Sequence, residues 1–262
     1  MAGHNQPKTQ YDALATSYDL VWKTPAVKPL LSLLKSTIGS LGPLTGSSVL
    51  DLACGTGIGL RLVQSFGASK LVGVDISPQM LEIAGSTIPD PVLHAADCSK
   101  SLDKLKLEPG SFDVVLGFWL LNYCPSSAEM RGMWANIATY LKPGGKFVGI
   151  VENHDIVHPV GVQSFKYGCR ESDVSVLENG QGWSLHVEFQ TEPKIEFDAF
   201  RLRKDILELE AKNAGLSEII YNVPTMEHVR EFEAVGDGSS EQDWWNGLLA
   251  EPPNFVIVAQ KN

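Results

Sequence analysis

The sequence predicts an α/β fold built on a mostly parallel β-sheet, and two observations carry this prediction. Short apolar runs rich in valine and leucine, at 49–52, 72–75 and 113–118, are typical of buried strands. Segments with helical periodicity, such as 58–66 and 126–141, separate the strands. Because strands joined through helices pair in parallel by right-handed crossovers, this alternation predicts a parallel sheet with helices on both faces.

The remaining elements continue the same alternation along the chain. Further strands are expected at 92–95 and 147–152. The next helix is expected at 201–215, where Gly215 is placed to end it because glycine readily adopts the left-handed conformation found after helices. Two final strands are expected at 218–222 and 255–260.

The turn after the first strand is the most informative local feature. Asp51 lies at the end of the strand, and Gly55, Gly57 and Gly59 follow before the next helix. Glycines let the backbone approach a ligand closely, and the helix directs its amide dipoles at the same place. A dinucleotide fingerprint would require its third glycine at Leu60, one position later than Gly59. The pattern therefore disfavours a nicotinamide-dependent oxidoreductase.

Three later motifs complete a family pattern. The second strand ends in Asp75, about 20 residues after the turn, where a βαβ unit places the acid that binds ribose hydroxyls. The third strand ends in H-A-A-D-C at 94–98, and L-K-P-G-G-K-F occupies 141–147. Together with D-L-A-C-G-T-G at 51–57, these motifs resemble the class I S-adenosylmethionine (SAM) dependent methyltransferases, over roughly 11–152.

The resemblance implies a seven-stranded sheet with strand order 3-2-1-4-5-7-6, an antiparallel last strand and a substrate lid. One domain is expected over 1–262, with N-terminal cap helices at 1–46 and a SAM-binding core at 47–153. A lid insertion is expected at 154–200, and 201–262 then forms the C-terminal part of the sheet. Alternating residues at 183–189 and 194–200 predict a hairpin within the lid.

The resemblance also implies SAM as cofactor, S-adenosylhomocysteine as its product, and no metal. Ala53 occupies the position of the family's first glycine in motif I, which holds the methionine part of SAM. The side chain of Asp97 and the backbone amide of Cys98 are expected to bind adenine. The expected cofactor residues are Tyr11, Tyr18, Asp51, Ala53, Cys54, Gly55, Gly57, Asp75, Ile76, Met80, Ala96, Asp97, Cys98, Phe118 and Tyr123.

The segment 11–19 contains two Tyr-Asp pairs and resembles the entry helix of many small-molecule methyltransferases. Tyr11 and Tyr18 are seven residues apart, so a helix would place them on one face. The resemblance implies that these rings cover the methionine part of SAM. The alternative is that this face packs against the core, as the apolar face of an amphipathic helix does.

Residues that follow the fourth and fifth strands are candidates for the reaction and for substrate binding. His154 is the candidate general base, with a solvated loop histidine as the alternative, and Tyr123 is the second catalytic candidate. Aromatic faces here can stabilise a sulfonium or ammonium cation by about 0.5–2 kcal/mol. The substrate-binding candidates are Trp119, Asn122, Glu152, Tyr167 and Trp244.

The composition restricts the class of partner. The formal net charge is −10 over 262 residues, which disfavours a nucleic-acid substrate because phosphate binding needs a basic surface. No apolar run reaches membrane length, and 1–8 lacks the apolar stretch of a secretory signal. We therefore expect a cytoplasmic protein without a membrane partner, either a monomer or a homodimer. The four cysteines have neither disulfide-framework nor zinc-ligand spacing.

The sequence predicts methyl transfer from SAM to an N or O nucleophile of a small molecule. Such an in-line displacement depends mainly on proximity and orientation. The C-terminal part resembles methyltransferases of the toxoflavin-synthase type, which act on secondary metabolites. The alternative is a methyltransferase-like protein that binds SAM but catalyses another step, such as cyclisation, or serves as a binding module.

Overall fold

The central sheet has the predicted topology. The computed structural model describes residues 9–155, 165–230, 232 and 241–262. Its central strands are β1 (Ser48–Leu52), β2 (Lys70–Asp75), β3 (Val92–Ala95), β4 (Phe112–Phe118), β5 (Leu141–Glu152), β9 (Leu216–Asn222) and β10 (Asn254–Lys261). They lie in the order β3-β2-β1-β4-β5-β10-β9, with β10 antiparallel to both neighbours and the other pairs parallel. Counted within this sheet alone, the order is the predicted 3-2-1-4-5-7-6.

The helices predicted between the strands are present. Their bounds are α1 (Lys28–Ser40), α2 (Ile58–Ser65), α3 (Pro78–Thr87), α4 (Ser127–Tyr140), α5 (Lys204–Asn213), α6 (Met226–Val229) and α7 (Glu241–Ala250), with 3₁₀ turns at Tyr18–Lys23, Asp103–Leu105 and Leu120–Tyr123. Two helices that were not predicted, α6 and α7, lie between β9 and β10. The side chain of Ser77 caps α3 by accepting from the amide of Met80 at 3.2 Å, and Pro78 occupies the first turn.

Two hydrophobic cores lie on opposite faces of the central sheet. Within β1, Val49 belongs to the core that contains α1 and α2, and Leu50 belongs to the core that contains α4 and α5. Successive strand residues point to opposite faces, so one short apolar run contributes to both cores. Every residue of β1 after Ser48 is buried, which explains the continuous apolar run at this point in the sequence.

The lid is a separate three-stranded antiparallel sheet. It consists of β6 (Cys169–Val176), β7 (Gly182–Phe189) and β8 (Ile195–Leu202), in the order β6-β7-β8. The expected hairpin corresponds to β7 and β8, which pair antiparallel. Because Arg201 and Leu202 pair with β7, α5 begins only at Lys204, three residues later than expected.

The N-terminal segment departs from the prediction. Residues 10–17 form turns and Tyr18–Lys23 forms a 3₁₀ helix, so the expectation of one continuous entry helix is wrong. The side chain of Asp12 accepts hydrogen bonds from the amide of Thr9 at 3.1 Å and from the hydroxyl of Ser77 at 2.7 Å. Such side-chain bonds compete with the regular helix ladder. α1 is a genuine N-terminal helix, and its first turn contains Pro29.

Candidate active site

The glycine turn between β1 and α2 requires unusual backbone angles. Gly55 has φ +52° and Gly57 has φ +84°, and Ala53 adopts φ +60° although it carries a Cβ. A left-handed conformation costs an ordinary L-residue roughly 1–2 kcal/mol, so Ala53 is strained at the position where the resembling motif has glycine. A Cβ on Gly57 would lie 2.5 Å from Cδ1 of Ile88, so Gly57 permits the turn to pack against the end of α3.

Gly59 is required by the carboxyl group of Asp51. A Cβ on Gly59 would lie 2.5 Å from Oδ2 of Asp51 and 3.1 Å from the ring of Phe118. The glycine that is misplaced for a dinucleotide fingerprint therefore makes room for the acid at the end of β1. This explains its position from packing alone.

We expect Gly59→Ala to lower the free energy of unfolding by about 1–3 kcal/mol, the range typical of an overpacked core. The added methyl group must displace the buried carboxyl group of Asp51 or the ring of Phe118. This is costly because neighbouring strands hold both residues in place. Urea denaturation measures the change. Gly85→Ala in α3 is the control, because its nearest heavy atom is at 3.5 Å; it should be neutral or stabilising by about 0.5–1 kcal/mol. Equal losses for the two variants would contradict this account.

Asp51 is a buried acid without a hydrogen-bond partner. Asp51 is 1% exposed, and within the described ranges neither of its carboxyl oxygens has a hydrogen-bond partner. Burial, followed by the nearby Asp75 carboxylate, raises the pKa of Asp51 to about 8. A buried carboxyl group with free acceptor atoms is suited to bind a cation.

Asp75 closes the glycine turn from the end of β2. Its Oδ2 accepts from the amide of Gly55 at 2.8 Å, and its Oδ1 accepts from the amide of Ser77 at 2.8 Å. Burial raises the pKa of Asp75, and these amides oppose the shift in part. One carboxylate therefore joins the β1–α2 turn to the first turn of α3, and Asp75 also lines a cavity at the carboxyl ends of the strands.

The third strand contributes Asp97 and Cys98 to the same cavity. Oδ1 of Asp97 accepts from the amide of Ser99 at 2.8 Å and from its hydroxyl at 2.7 Å. The carbonyl of Cys98 accepts from the side-chain amide of Asn136 at 2.9 Å, which connects this loop to α4. Burial raises the pKa values of Cys54 and Cys98, so both thiols are protonated near neutral pH.

Three tyrosine rings pack together over the cavity. The ring centroid of Tyr11 lies 5.8 Å from that of Tyr18 and 5.4 Å from that of Tyr123, both edge to face. The aspartates that follow the first two tyrosines hold the N-terminal segment in place: Asp12 accepts from Ser77, and Asp19 accepts from the Thr56 hydroxyl and pairs with Arg61. The tyrosines meet although the expected helix is absent.

These groups enclose a cavity of about 470 Å³ at the carboxyl ends of β1, β2 and β4. Its volume lies within the usual range for sites that hold small molecules and cofactors, roughly 300–1,000 Å³. The predicted cofactor residues that line it are Tyr11, Tyr18, Asp51, Ala53, Cys54, Gly55, Asp75, Ile76, Met80, Ala96, Asp97, Cys98, Phe118 and Tyr123. Gly57 does not line the cavity. We call this space the cofactor cavity.

A smaller space of about 40 Å³ lies between the lid and the central sheet, and we call it the lid chamber. Tyr18, Trp119 and Tyr123 line both spaces, so the two are adjacent. The remaining lining residues of the lid chamber are Val21, Ala26, Val27, Asn122, Glu152, Cys169, Glu171, Val187, Phe189, Phe197, Ala199, Pro253 and Asn254.

Trp119 stands at the boundary of the two spaces in a strained conformation. Its φ is +56°, and its indole Nε1 donates to Oδ1 of Asn254 at 2.8 Å. Its ring centroid lies 5.1 Å from that of Trp22. A bulky residue at positive φ is rare and is characteristic of functional sites, where the surrounding structure enforces it.

Several predicted residues lie elsewhere. Nδ1 of His154 is 2.7 Å from the carbonyl of Leu202, and burial lowers the pKa of His154 to about 4. Tyr167 donates to the carbonyl of Trp244 at 3.2 Å, and the two rings pack together. None of the three is among the described residues that line the cofactor cavity or the lid chamber. The structure thus brings Trp119, Asn122, Glu152 and Tyr123 together and does not place His154, Tyr167 or Trp244 with them.

Glu171 and Arg201 were not identified from the sequence. Arg201 is 1% exposed; its Nε lies 2.6 Å from Oε2 of Glu152, and its terminal NH2 nitrogen (Nη2) lies 2.7 Å from Oε1 of Glu171. One signal in the sequence could have identified this cluster: an arginine lies within the apolar run 199–202. If that strand is buried, its arginine needs a buried acidic partner.

In the part of the chain that the structure describes, no group of three or more histidine, cysteine, aspartate or glutamate residues has an arrangement that could hold a metal ion. No helix among the described ranges is long and apolar enough to cross a membrane.

Comparisons with known proteins agree with this fold. Residues 49–145 match a family model described as a methyltransferase domain. The demethylmenaquinone methyltransferase of Lactococcus lactis is 32% identical over 174 residues, which cover 62% of this chain and 65% of the relative. The ubiquinone biosynthesis O-methyltransferase of Ralstonia nicotianae is 33% identical over 116 residues, which cover 41% and 44% of the two chains. The chain thus spans less than two thirds of the length of these relatives.

A solved structure supports the fold over the whole chain. SAM-bound CalS10 from Micromonospora echinaspora, described as an amino pentose methyltransferase involved in calicheamicin biosynthesis, has a TM-score of 0.57 at 18% identity and covers 100% of both chains. The fold is that of the class I SAM-dependent methyltransferases. The predicted resemblance to this family is confirmed, and the family model matches residues 49–145.

Proposed function

We propose that this chain transfers the methyl group of SAM to an N or O nucleophile of a small molecule, a secondary metabolite in our interpretation. The observation that carries the proposal is the contact between the two spaces. The cofactor cavity and the lid chamber share Tyr18, Trp119 and Tyr123 in their walls, so the two spaces are neighbours. In-line transfer needs such an arrangement of two reactants, which can gain roughly 7–11 kcal/mol from orientation.

The residues of the cofactor cavity fit SAM. When bound, SAM supplies a methyl group on a sulfonium cation. In our proposal Asp75 accepts hydrogen bonds from the ribose, Asp97 and the amide of Cys98 bind adenine, and Asp51 faces the cationic amino group of the methionine part. The unpartnered carboxyl group of Asp51 is the feature that favours a cationic ligand most directly.

The comparisons support a small-molecule acceptor. Two relatives are named for menaquinone and ubiquinone biosynthesis, and CalS10 is described as an amino pentose methyltransferase. Each of those names refers to a small-molecule pathway. The net charge of −10 also favours a substrate other than nucleic acid. A monomeric or homodimeric cytoplasmic enzyme that needs no metal is part of the same proposal.

The test is a search for a labelled product. The purified protein is incubated with methyl-labelled SAM and fractionated small-molecule extracts, and both S-adenosylhomocysteine and labelled products are measured. We expect stoichiometric formation of S-adenosylhomocysteine and of a labelled small molecule. Binding of SAM by calorimetry without formation of S-adenosylhomocysteine in any fraction would favour the SAM-binding alternative instead. Label found only in nucleic acid or protein would contradict a small-molecule acceptor.

SAM binding is expected to release a proton at neutral pH. With a pKa of about 8, Asp51 is mostly protonated at pH 7 in the free protein, and a neighbouring ammonium group would favour its carboxylate. Since the complex holds fewer protons, affinity should rise as the pH rises from about 6 to about 7.5. Calorimetry in phosphate and in Tris buffer measures the released proton through the buffer's ionisation enthalpy.

Asp51→Asn is the control for this linkage. The amide cannot ionise, so the heat of SAM binding to Asp51→Asn should change less between the two buffers than that of the wild type. Identical buffer dependence in wild type and variant would assign the proton to another group.

A further inference from the structure

We propose that the lid chamber binds an amine, so that the methyl acceptor is an amine nitrogen with the carboxylate of Glu171 as its ionic partner. This inference rests on the proposed function and deepens it by naming the substrate class. It follows from the charges and free hydrogen-bonding atoms of the lid chamber.

The lining of the lid chamber is acidic. Glu152 and Glu171 both line it, and no lysine, arginine or histidine is among the described residues that do so. Oε2 of Glu171 is buried and has no hydrogen-bond partner in the described part of the chain, although Oε1 is bound by Arg201. A free carboxylate oxygen in a closed space is suited to a donor that carries positive charge.

Arg201 stands behind the two acids rather than in the chamber. Its guanidinium contacts Glu152 at 2.6 Å and Glu171 at 2.7 Å and so orients both carboxylates. Two carboxylates share one guanidinium, which leaves this cluster negative when both are ionised. A carboxylate or phosphate ligand would therefore be repelled, whereas an ammonium group would restore neutrality.

Asn122 supplies a second polar contact in the same wall. It is 3% exposed, and both its side-chain oxygen and its nitrogen are buried without a partner among the described residues. The oxygen can accept a second N–H of an amine, whereas a hydroxyl group has only one hydrogen to donate. The lid chamber thus offers free acceptors from both Glu171 and Asn122.

Aromatic rings complete the environment of a cation. Phe189 and Phe197 of the lid line the chamber, with Tyr18, Trp119 and Tyr123 at its boundary with the cofactor cavity. Aromatic faces attract ammonium groups by about 0.5–2 kcal/mol, more when water is excluded. With a volume of about 40 Å³, the chamber admits a small headgroup, either a small amine or the amino end of a longer molecule.

Transfer to this nitrogen requires the neutral amine. The ammonium proton goes to Oε2 of Glu171, the nitrogen lone pair forms the new C–N bond, and the electrons of the broken S–C bond stay on sulfur. Burial, followed by Glu152, raises the pKa of Glu171 to about 7, which suits exchange of a proton near neutral pH. Among the described residues, the titratable or charged groups that line the chamber with Glu171 or pair with it are Glu152, Arg201, Cys169, Tyr18 and Tyr123.

The test compares three small probes with three carbons each and different charge: propylamine, propanol and propionate. Each is titrated by ligand-observed NMR into the wild-type protein, with and without S-adenosylhomocysteine. We expect propylamine to bind at least about tenfold more tightly than propanol, the factor of one charged hydrogen bond, and propionate not to bind. Equal binding of propylamine and propanol, or preferred binding of propionate, would overturn the inference without any variant.

Two variants test whether Glu171 causes the preference for propylamine. Glu171→Gln should weaken propylamine binding by about tenfold or more and leave propanol unchanged. Glu188→Gln is the matched control, because Glu188 lies in the lid sheet but pairs with Arg170 and Lys194 and does not line the chamber. Retention of the amine preference in a folded Glu171→Gln protein would overturn the assignment.

The same samples separate this inference from the proposed function. Calorimetry of S-adenosylhomocysteine binding tests the cofactor cavity, and the propylamine titration without that ligand tests the lid chamber alone. Absence of S-adenosylhomocysteine binding together with an intact amine preference would contradict the proposed function only. The opposite result would contradict the amine inference only.

Discussion

Arg201→Met is expected to lower the free energy of unfolding by about 3–5 kcal/mol, as when one partner of a buried ion pair is removed. Glu152 and Glu171 would keep their buried positions and lose the guanidinium that contacts both at 2.6 and 2.7 Å. Methionine keeps an unbranched apolar side chain in place of the aliphatic part of arginine, so the loss reports mainly the missing charge. Urea denaturation at neutral pH measures the change.

The control is Arg203→Met, two residues further along the chain. Arg203 pairs with Asp205 at 3.0 Å, but both side chains are at least half exposed, so its loss should cost less than about 1 kcal/mol. The cost of Arg201→Met should also decrease between about pH 8 and about pH 5, because Glu171, whose pKa is raised by burial, can then fold as a neutral acid. A cost that is independent of pH would show that packing, not charge, causes the loss.

Asp75→Ala is expected to weaken SAM binding by about a hundredfold or more, because two hydrogen bonds to a charged group contribute about 3 kcal/mol or more. It removes the proposed ribose acceptor and also the group that holds the amides of Gly55 and Ser77, both at 2.8 Å. The turn itself should therefore loosen. Calorimetry with SAM measures the loss, and Asp75→Asn, which keeps the shape and one acceptor oxygen, should lose less.

Asp113→Ala is the matched control for this prediction. Asp113 likewise accepts from a backbone amide, that of Ser48 at 2.9 Å, and pairs with Lys142, but it lies near the opposite end of the sheet. We expect it to reduce stability by about 1–2 kcal/mol and to leave the dissociation constant for SAM unchanged. Equal loss of affinity in the Asp75 and Asp113 variants would mean that Asp75 acts through stability alone.

The cofactor cavity was predictable because its residues follow directly from local sequence. Asp51, Asp75 and Asp97 each end or follow an apolar strand, and parallel strands with helical crossovers bring their carboxyl ends to one edge. The strand order followed from the family resemblance in the same way. An acid that ends or follows a parallel strand can lie only at the carboxyl edge of the sheet, so its place in the fold follows from the local sequence.

The lid chamber was less predictable because its residues meet through non-local pairing. Glu171 and Arg201 are 30 residues apart on β6 and β8, and they converge on Glu152 only after the lid packs against the central sheet. Short alternating strands do not specify which face is buried until their partner is known. His154 was predicted as the general base, but the structure buries it beside the carbonyl of Leu202. The sequence alone does not show whether the residues at the end of β5 face the cavity.

The side chain of Gln10 connects the N-terminal segment to the lid. Its amide nitrogen donates to the carbonyl of Asp198 at 3.0 Å, and its amide oxygen accepts from the amide of Asp198 at 3.0 Å, as a neighbouring strand would. Gln10 also lines the cofactor cavity, and Asp198 belongs to the edge strand β8 of the lid. A movement of the N-terminal segment away from the cofactor cavity would break these two hydrogen bonds or move β8 with it. The wall of the cofactor cavity and the edge of the lid are therefore coupled through one side chain.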